Sequence, residues 1–392
     1  MTERPACQYP AEVDAIIVPT ARNAAMLDTA IALASKLDST LVALCSKYST
    51  AQDVVTRSAG EGVRLVAIDV EDMPDGVVPA FDTCRVLAGT RFERRTDTSL
   101  KRNLGLLLSR LIGWRRIVFL DDDIKVPEPM DLRDAVGMTD HYAGVGLVID
   151  QVEGMPDNSV VCHAFREAGG EQDVFIGGGA LAIGTASMTS FFPNIYNEDW
   201  FFLLDDDGLR PTATTGTAVQ KVYDPFREDR ARMEELGDCL AEGLFWLLDN
   251  GRSLRDATER HWRTFLDRRV GFITDVIDMV TRMDGDPELR HRMRLSLKAA
   301  RGRCHYIRPE LCVRYVEAWR ADRVRWRRHL ADLDGLRVPR VRGSRPTVDE
   351  VRTMFRSLDF PDRVVQIRLP AQQLLDQDAA DLDVPFPVAL RE

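Results

Sequence analysis

From residue 13 the chain alternates between two hydrophobic periods. Short apolar runs, DAIIVPT at 14–20, TLVALCS at 40–46 and VRLVAIDV at 63–70, read as strands. Between them, AAMLDTAIALASKL at 24–37 has apolar residues at helical spacing, and the polar segment at 50–60 reads as a further helix. Strand and helix in turn predict an α/β domain with a mostly parallel, Rossmann-like sheet covered by helices. Ligands in such sheets bind beyond the carboxyl ends of the strands.

After a polar link at 71–97, SLKRNLGLLLSRLIGW reads as a helix with Ser99 as its N-cap and Gly113 as its stop. RRIVFL follows as an apolar strand, so Asp121, Asp122 and Asp123 fall at a strand's carboxyl end. YAGVGLVID at 142–150 and DVFIGGGALAIG at 173–184 are further strand candidates. From 226 the texture changes to long helical patterns such as REDRARMEELGDCLAEGLFWLLDNG and RPELCVRYVEAWRADRVRWRRHLADL. The division predicted is an α/β catalytic domain over 1–225, a helical region over 226–335 and a tail over 336–392 with one helix near TVDEVRTMFRSL.

Composition narrows the function classes. A net charge of −10 argues against a nucleic-acid binder, which needs a cationic surface. The seven cysteines form no CxxC pair and, being odd in number, cannot all pair within the chain, so they read as reduced thiols. The N-terminal segment lacks the layout of a signal peptide, and no stretch reaches the roughly 18 apolar residues of a membrane span; the compartment expected is the cytoplasm.

The triplet Asp121–Asp123 carries the first candidate chemistry. Three adjacent carboxylates repel unless a cation sits among them, and Mg²⁺ or Mn²⁺ needs only one or two protein carboxylates when a diphosphate supplies the rest. In an extended strand Asp121 and Asp123 point to one side and Asp122 to the other. A solvated acidic loop is the alternative. Glu198 and Asp199, in NEDW, are either a general base for an acceptor hydroxyl or the favoured acids of a helix's first turn. The second triplet, Asp205–Asp207, marks the end of the helix that NEDW opens, either as a plain surface turn or with a cation or an Arg partner such as Arg210.

Four segments in order, VPTARN at 18–23, SLKRNLGLLLSRLIGWRRIVFLDDDI, FIGGGALAIG and NEDW, resemble the motifs of family-2-like glycosyltransferases of the GT-A fold, over about 190 residues. The resemblance implies a transferase that moves a sugar from a UDP- or GDP-sugar donor to an acceptor hydroxyl, with Mn²⁺ or Mg²⁺ as cofactor. It places Asp121 at the ribose and the metal, Asp123 on the metal and Asp122 between them. Pro19, Thr20 and Asn23 would line the base pocket, and Lys101, Arg102 and Asn103 would face the nucleotide or its phosphates. Gly178 and Gly179 would let backbone approach substrate, and Asp199, with Glu198 before it, would be the base.

The chain departs from that pattern in two places. The second strand ends in Cys45 and Ser46 where the family has an acid, leaving Asp69 on the third strand as a substitute. No histidine lies between 164 and 260 to complete a metal shell, so a carbonyl, Asp224 or water is left for that place. The other readings kept open are a nucleotidyltransferase and a non-catalytic GT-A-like binding module. Residues 301–345 carry 13 Arg against five acids, which suits an anionic membrane surface or, more simply, packing on the acidic remainder or on a second copy in a homodimer.

Overall fold

The structure, a computed structural model, describes residues 10–171, 176–339 and 345–368. The described residues form nine strands: β1 (Ala15–Thr20), β2 (Thr40–Cys45), β3 (Arg64–Asp69), β4 (Arg116–Leu120), β5 (Ile124–Lys125), β6 (Gly144–Ile149), β7 (Ala180–Gly184), β8 (Thr212–Gln220) and β9 (Val365–Arg368). They build one sheet in the order β5-β8-β6-β7-β4-β1-β2-β3-β9. The helices are α1 (Asp28–Lys36), α2 (Ala51–Arg57), α3 (Asp82–Leu87), α4 (Thr98–Ile112), α5 (Pro129–Met138) and α6 (Val160–Glu167). There follow α7 (Glu198–Leu203), α8 (Glu228–Asp249), α9 (Glu259–Arg282), α10 (Pro287–Cys304), α11 (Pro309–Asp332) and α12 (Val348–Ser357).

The fold is α/β, but the sheet is mixed rather than mostly parallel. Strands β3, β2, β1 and β4 run parallel, as the alternating pattern predicts. Strand β7, inserted between β4 and β6, runs against both, and the edges β5 and β9 are antiparallel to their neighbours. Apolar runs encode burial and not direction, so the reversal leaves no mark on hydropathy.

Residue alternation within the central strands serves two cores. Ile16, Val18, Leu41, Ala43, Leu65, Ala67, Val118 and Leu120 face one, with α1, α2 and α5. Ile17, Val42, Leu44, Val66, Ile68, Ile117 and Phe119 face the other, which continues without a break through α4 and into α8–α12. Helix α4 therefore lies between sheet and helical layer, with Leu104, Leu106, Leu107, Leu108 and Leu111 all fully buried. Each contributes on the order of 1.5–3 kcal/mol by burial. Gly105 lets α4 approach closely, since a Cβ there would stand 2.9 Å from Ile17 Cγ2. Gly113 ends the helix in the left-handed region at φ 84°, as expected. Ser99 is not the N-cap: Asp97 holds that position, and the Ser99 hydroxyl donates to Pro193 O at 2.9 Å.

The tail adds α12 and the edge strand β9, which pairs with β3; residues beyond 368 lie outside the described residues. No helix among the described residues is long and apolar enough to cross a membrane.

Candidate active site

Four parallel strands bring their carboxyl ends to one rim of the sheet, and the first acidic triplet sits there directly after β4. The chain turns at once: Ile124 N donates to Asp121 O at 3.1 Å, and Lys221 N to Asp123 O at 2.9 Å. This turn replaces the strand alternation expected of the three aspartates. Asp122 and Asp123 share one cation while Asp121 goes to another.

Asp122 is almost fully buried, accepts from Thr20 Oγ1 at 2.7 Å, and pairs with Arg22 Nη2 at 2.7 Å. The same Arg22 nitrogen lies 3.0 Å from Asp123 Oδ2. Burial lowers the Arg22 pKa, but the charges of Asp122 and Asp123 outweigh it and leave it raised. Asp121 receives Arg102 Nη2 at 3.1 Å, and its amide donates to Gly179 O at 2.8 Å. Burial raises the carboxyl pKa of both Asp121 and Asp122 against the pull of their arginines.

Arg102 joins the two acidic motifs. Besides Asp121 it holds Glu198 Oε1 at 2.8 Å, and Glu198 Oε2 meets Arg94 at 3.2 Å. Arg94 is itself anchored on Ile195 O. Burial works against the Arg102 charge, yet Asp121 and Glu198 more than offset it and its pKa rises. Gly178 gives the guanidinium room, because a Cβ there would stand 2.4 Å from Arg102 Nη1. The Gly178 amide donates to Asp199 Oδ2 at 2.6 Å, and Trp200 N donates to Oδ1 at 2.9 Å. Burial, followed by the charge of Glu198, pushes the Asp199 pKa up to about 7. Asn197, immediately before these acids, is left-handed at φ 63° and is held by Asp238 at 3.0 Å. Asn is among the few residues that tolerate that conformation.

The three α4 residues expected to face the nucleotide are all buried, at 1%, 3% and 1% exposure for Lys101, Arg102 and Asn103. Lys101 Nζ donates to Thr20 O at 2.8 Å and Ser46 Oγ at 2.6 Å and pairs with Asp97 at 3.0 Å, tying the ends of β1 and β2 together from below. Burial lowers its pKa against the attraction of Asp97. Asn103 is a clamp: its amide nitrogen donates to Phe192 O and its oxygen accepts from Phe192 N, both at 2.8 Å. At 1% exposure neither polar atom faces a ligand. Only Arg102 of the three reaches the triplet.

Pro19 is half-buried in β1, and Asn23 accepts from Ala25 N at 2.9 Å. Asn23 lines a cleft of about 740 Å³ between α1 and α2, together with Asp28, Asp53, Arg57 and Glu61. Asp69 ends β3 opposite Cys45 and accepts from Ala51 N at 2.7 Å. Burial raises its pKa. Asp224 pairs with Arg292 at 2.7 Å.

The second triplet forms a turn. Asp205 Oδ1 accepts from Asp207 N at 2.9 Å and Gly208 N at 3.1 Å, and Asp206 pairs with Arg323 of α11 at 2.7 Å. The arginine partner is thus Arg323, while Arg210 donates to Phe202 O at 2.6 Å. His163 is a packing residue bonded to Tyr223 OH at 2.8 Å, and burial lowers its pKa to about 3. Glu235, Cys239 and Cys304 lie close enough to suggest a metal group, but Glu235 is committed to Arg269 at 2.9 Å and burial holds the Cys239 thiol protonated.

Arg22, Arg94 and Asn197 carry no role in the sequence reading, and Ser46 enters it only as a departure from the family pattern. The signal for Arg22 is its place inside VPTARN, just past the end of a strand, yet its meeting with the triplet depends on β1 lying beside β4, which hydropathy does not encode. Around the site five carboxylates (Asp121, Asp122, Asp123, Glu198, Asp199) face three guanidiniums (Arg22, Arg94, Arg102), a formal surplus of two negative charges. Hard carboxylate oxygens with that surplus fit a divalent cation such as Mg²⁺ or Mn²⁺.

No family model and no curated protein matches this chain.

Proposed function

We propose that the chain is a glycosyltransferase of the GT-A type that moves a sugar from a nucleotide-diphosphate donor to an acceptor hydroxyl. The observation that carries the reading is Arg102. One buried guanidinium touches Asp121 of the donor-like triplet and Glu198 of the acceptor-side motif, so two acidic motifs far apart in the chain face one space. On this reading the donor lies over the carboxyl ends of β1, β2 and β4, on a floor tied by Lys101 and Thr20.

Asp121 and Asp123 would hold Mn²⁺ or Mg²⁺, which when bound supplies positive charge to the departing diphosphate. Arg102 fixes Asp121 and Glu198, and its confinement by Gly178 keeps the donor and acceptor sides in register. Both Glu198 oxygens are ion-paired with arginines, whereas the Asp199 oxygens accept only from backbone amides, so Asp199 is taken as the proton acceptor for the sugar-accepting hydroxyl. Its two amide partners aim the carboxylate and leave it lone pairs to spare.

Incubation with UDP- and GDP-sugars and Mn²⁺ tests the assignment through the nucleotide released. Transfer to an acceptor or to water liberates nucleoside diphosphate, and Asp123→Ala abolishes that release. Liberation of pyrophosphate instead would show nucleotidyl transfer and overturn the reading.

A further inference from the structure

The two arginines at the triplet are built differently. Arg102 is buried and anchored on two elements, whereas the Arg22 side chain is half-exposed and, among the described residues, its ion pairs run to the triplet. A single Arg22 nitrogen stands 2.7 Å from Asp122 and 3.0 Å from Asp123, so the guanidinium occupies an oxygen of the carboxylate that the donor-site reading gives to a divalent ion. The backbone on both sides of it is pinned, since Tyr48 N donates to Ala21 O at 3.3 Å and Asn23 caps Ala25. Departure of Arg22 therefore breaks two ion pairs and rotates its own side chain, with no movement of the backbone.

We propose that Arg22 is a cation-exchange latch: its guanidinium neutralises Asp122 and Asp123 in the ligand-free protein, and yields Asp123 to a divalent ion only when a nucleoside diphosphate arrives to receive it. This rests on the donor-site reading above. Asp122 keeps its hydrogen bond from Thr20 throughout, so Asp123 is the carboxylate exchanged. The released guanidinium is then free to pair with diphosphate oxygens, for which its planar fork is suited. Divalent ion alone competes with a tethered cation for the same carboxylate, while ion and diphosphate together do not. The latch makes the two bind cooperatively and keeps the acidic triplet from taking up divalent ions between turnovers.

Mn²⁺ binding followed by electron paramagnetic resonance, on the full chain and its Arg22→Ala and Arg22→Lys variants, without and with UDP or GDP, tests this apart from turnover. In the native protein Mn²⁺ alone binds weakly, and nucleoside diphosphate tightens it by about tenfold or more, the size of one charge-assisted hydrogen bond. Arg22→Ala binds Mn²⁺ alone about tenfold more tightly, binds the nucleotide more weakly, and loses most of the coupling; Arg22→Lys falls between. Equal or weaker Mn²⁺ binding by Arg22→Ala overturns the latch while leaving the donor site standing. If the native protein binds no Mn²⁺ with either nucleotide, the donor-site reading fails and takes the latch with it.

Discussion

In the proposed reaction Asp199 is the residue on which the chemistry would turn. Its carboxyl is raised to about 7 because burial and the neighbouring charge of Glu198 outweigh Arg102 and two amide hydrogen bonds. A general base acts in its ionised form, so on the proposed function transfer should fall as the pH drops through about 7 and level above it. Asp199→Asn should lower kcat by roughly 10²–10⁴ and remove that inflection; a pH–rate profile of the two proteins checks both, and an inflection surviving in the variant assigns the base elsewhere. At this scale the residue types were legible: acids behind an apolar strand and acids opening a helix. Their partners were not, because Arg22, Arg94 and Arg102 act across strand and helix neighbours that only the folded chain defines.

Among the elements, the parallel half of the sheet was readable because its strands are apolar on both faces and separated by helices. Strand β8 escaped notice for the opposite reason: TATTGTAVQ is rich in Thr and mostly half-buried, and nothing in its hydropathy separates it from a loop. Helix α4 shows how a resemblance transfers unevenly. The KRN run was expected at the nucleotide, yet Asn103 spends both amide atoms on Phe192 and stabilises the segment that leads to Glu198 and Asp199. Asn103→Ala should cost on the order of 1–3 kcal/mol in stability by leaving Phe192's backbone groups unpaired, with nucleotide affinity little changed. Denaturant unfolding and a nucleotide titration together distinguish this from a direct contact, which would lose affinity first. Gly178→Ala, by contrast, should weaken donor binding and stability together, because the Arg102 guanidinium has no room to retreat without leaving Asp121 or Glu198.

Across the whole molecule, the helical layer supports the site instead of merely following it. Arg269 of α9, buried among Glu235, Asp238 and Glu242 of α8, fixes Asp238 at 2.7 Å, and Asp238 in turn holds the left-handed Asn197 in front of the acids of α7. Arg269→Ala leaves three carboxylates facing an empty space and should destabilise by about 3–5 kcal/mol, measured by denaturant unfolding. The long helical patterns over 226–335 carry no sign of that link. Two arginines of the basic stretch likewise pair with acids of the α/β part, Arg323 with Asp206 and Arg325 with Asp82. The central claim, that the β4 triplet takes a nucleoside diphosphate with a divalent ion, is tested most directly by thermal unfolding with UDP or GDP, with and without Mn²⁺. A ligand at a hundredfold its Kd adds about 2.7 kcal/mol to the native state. Nucleotide and Mn²⁺ together should raise Tm, either alone should move it little, and Asp123→Ala should show no rise; a Tm unmoved by both nucleotides with Mn²⁺, or a rise that Asp123→Ala retains, contradicts a donor site at the triplet.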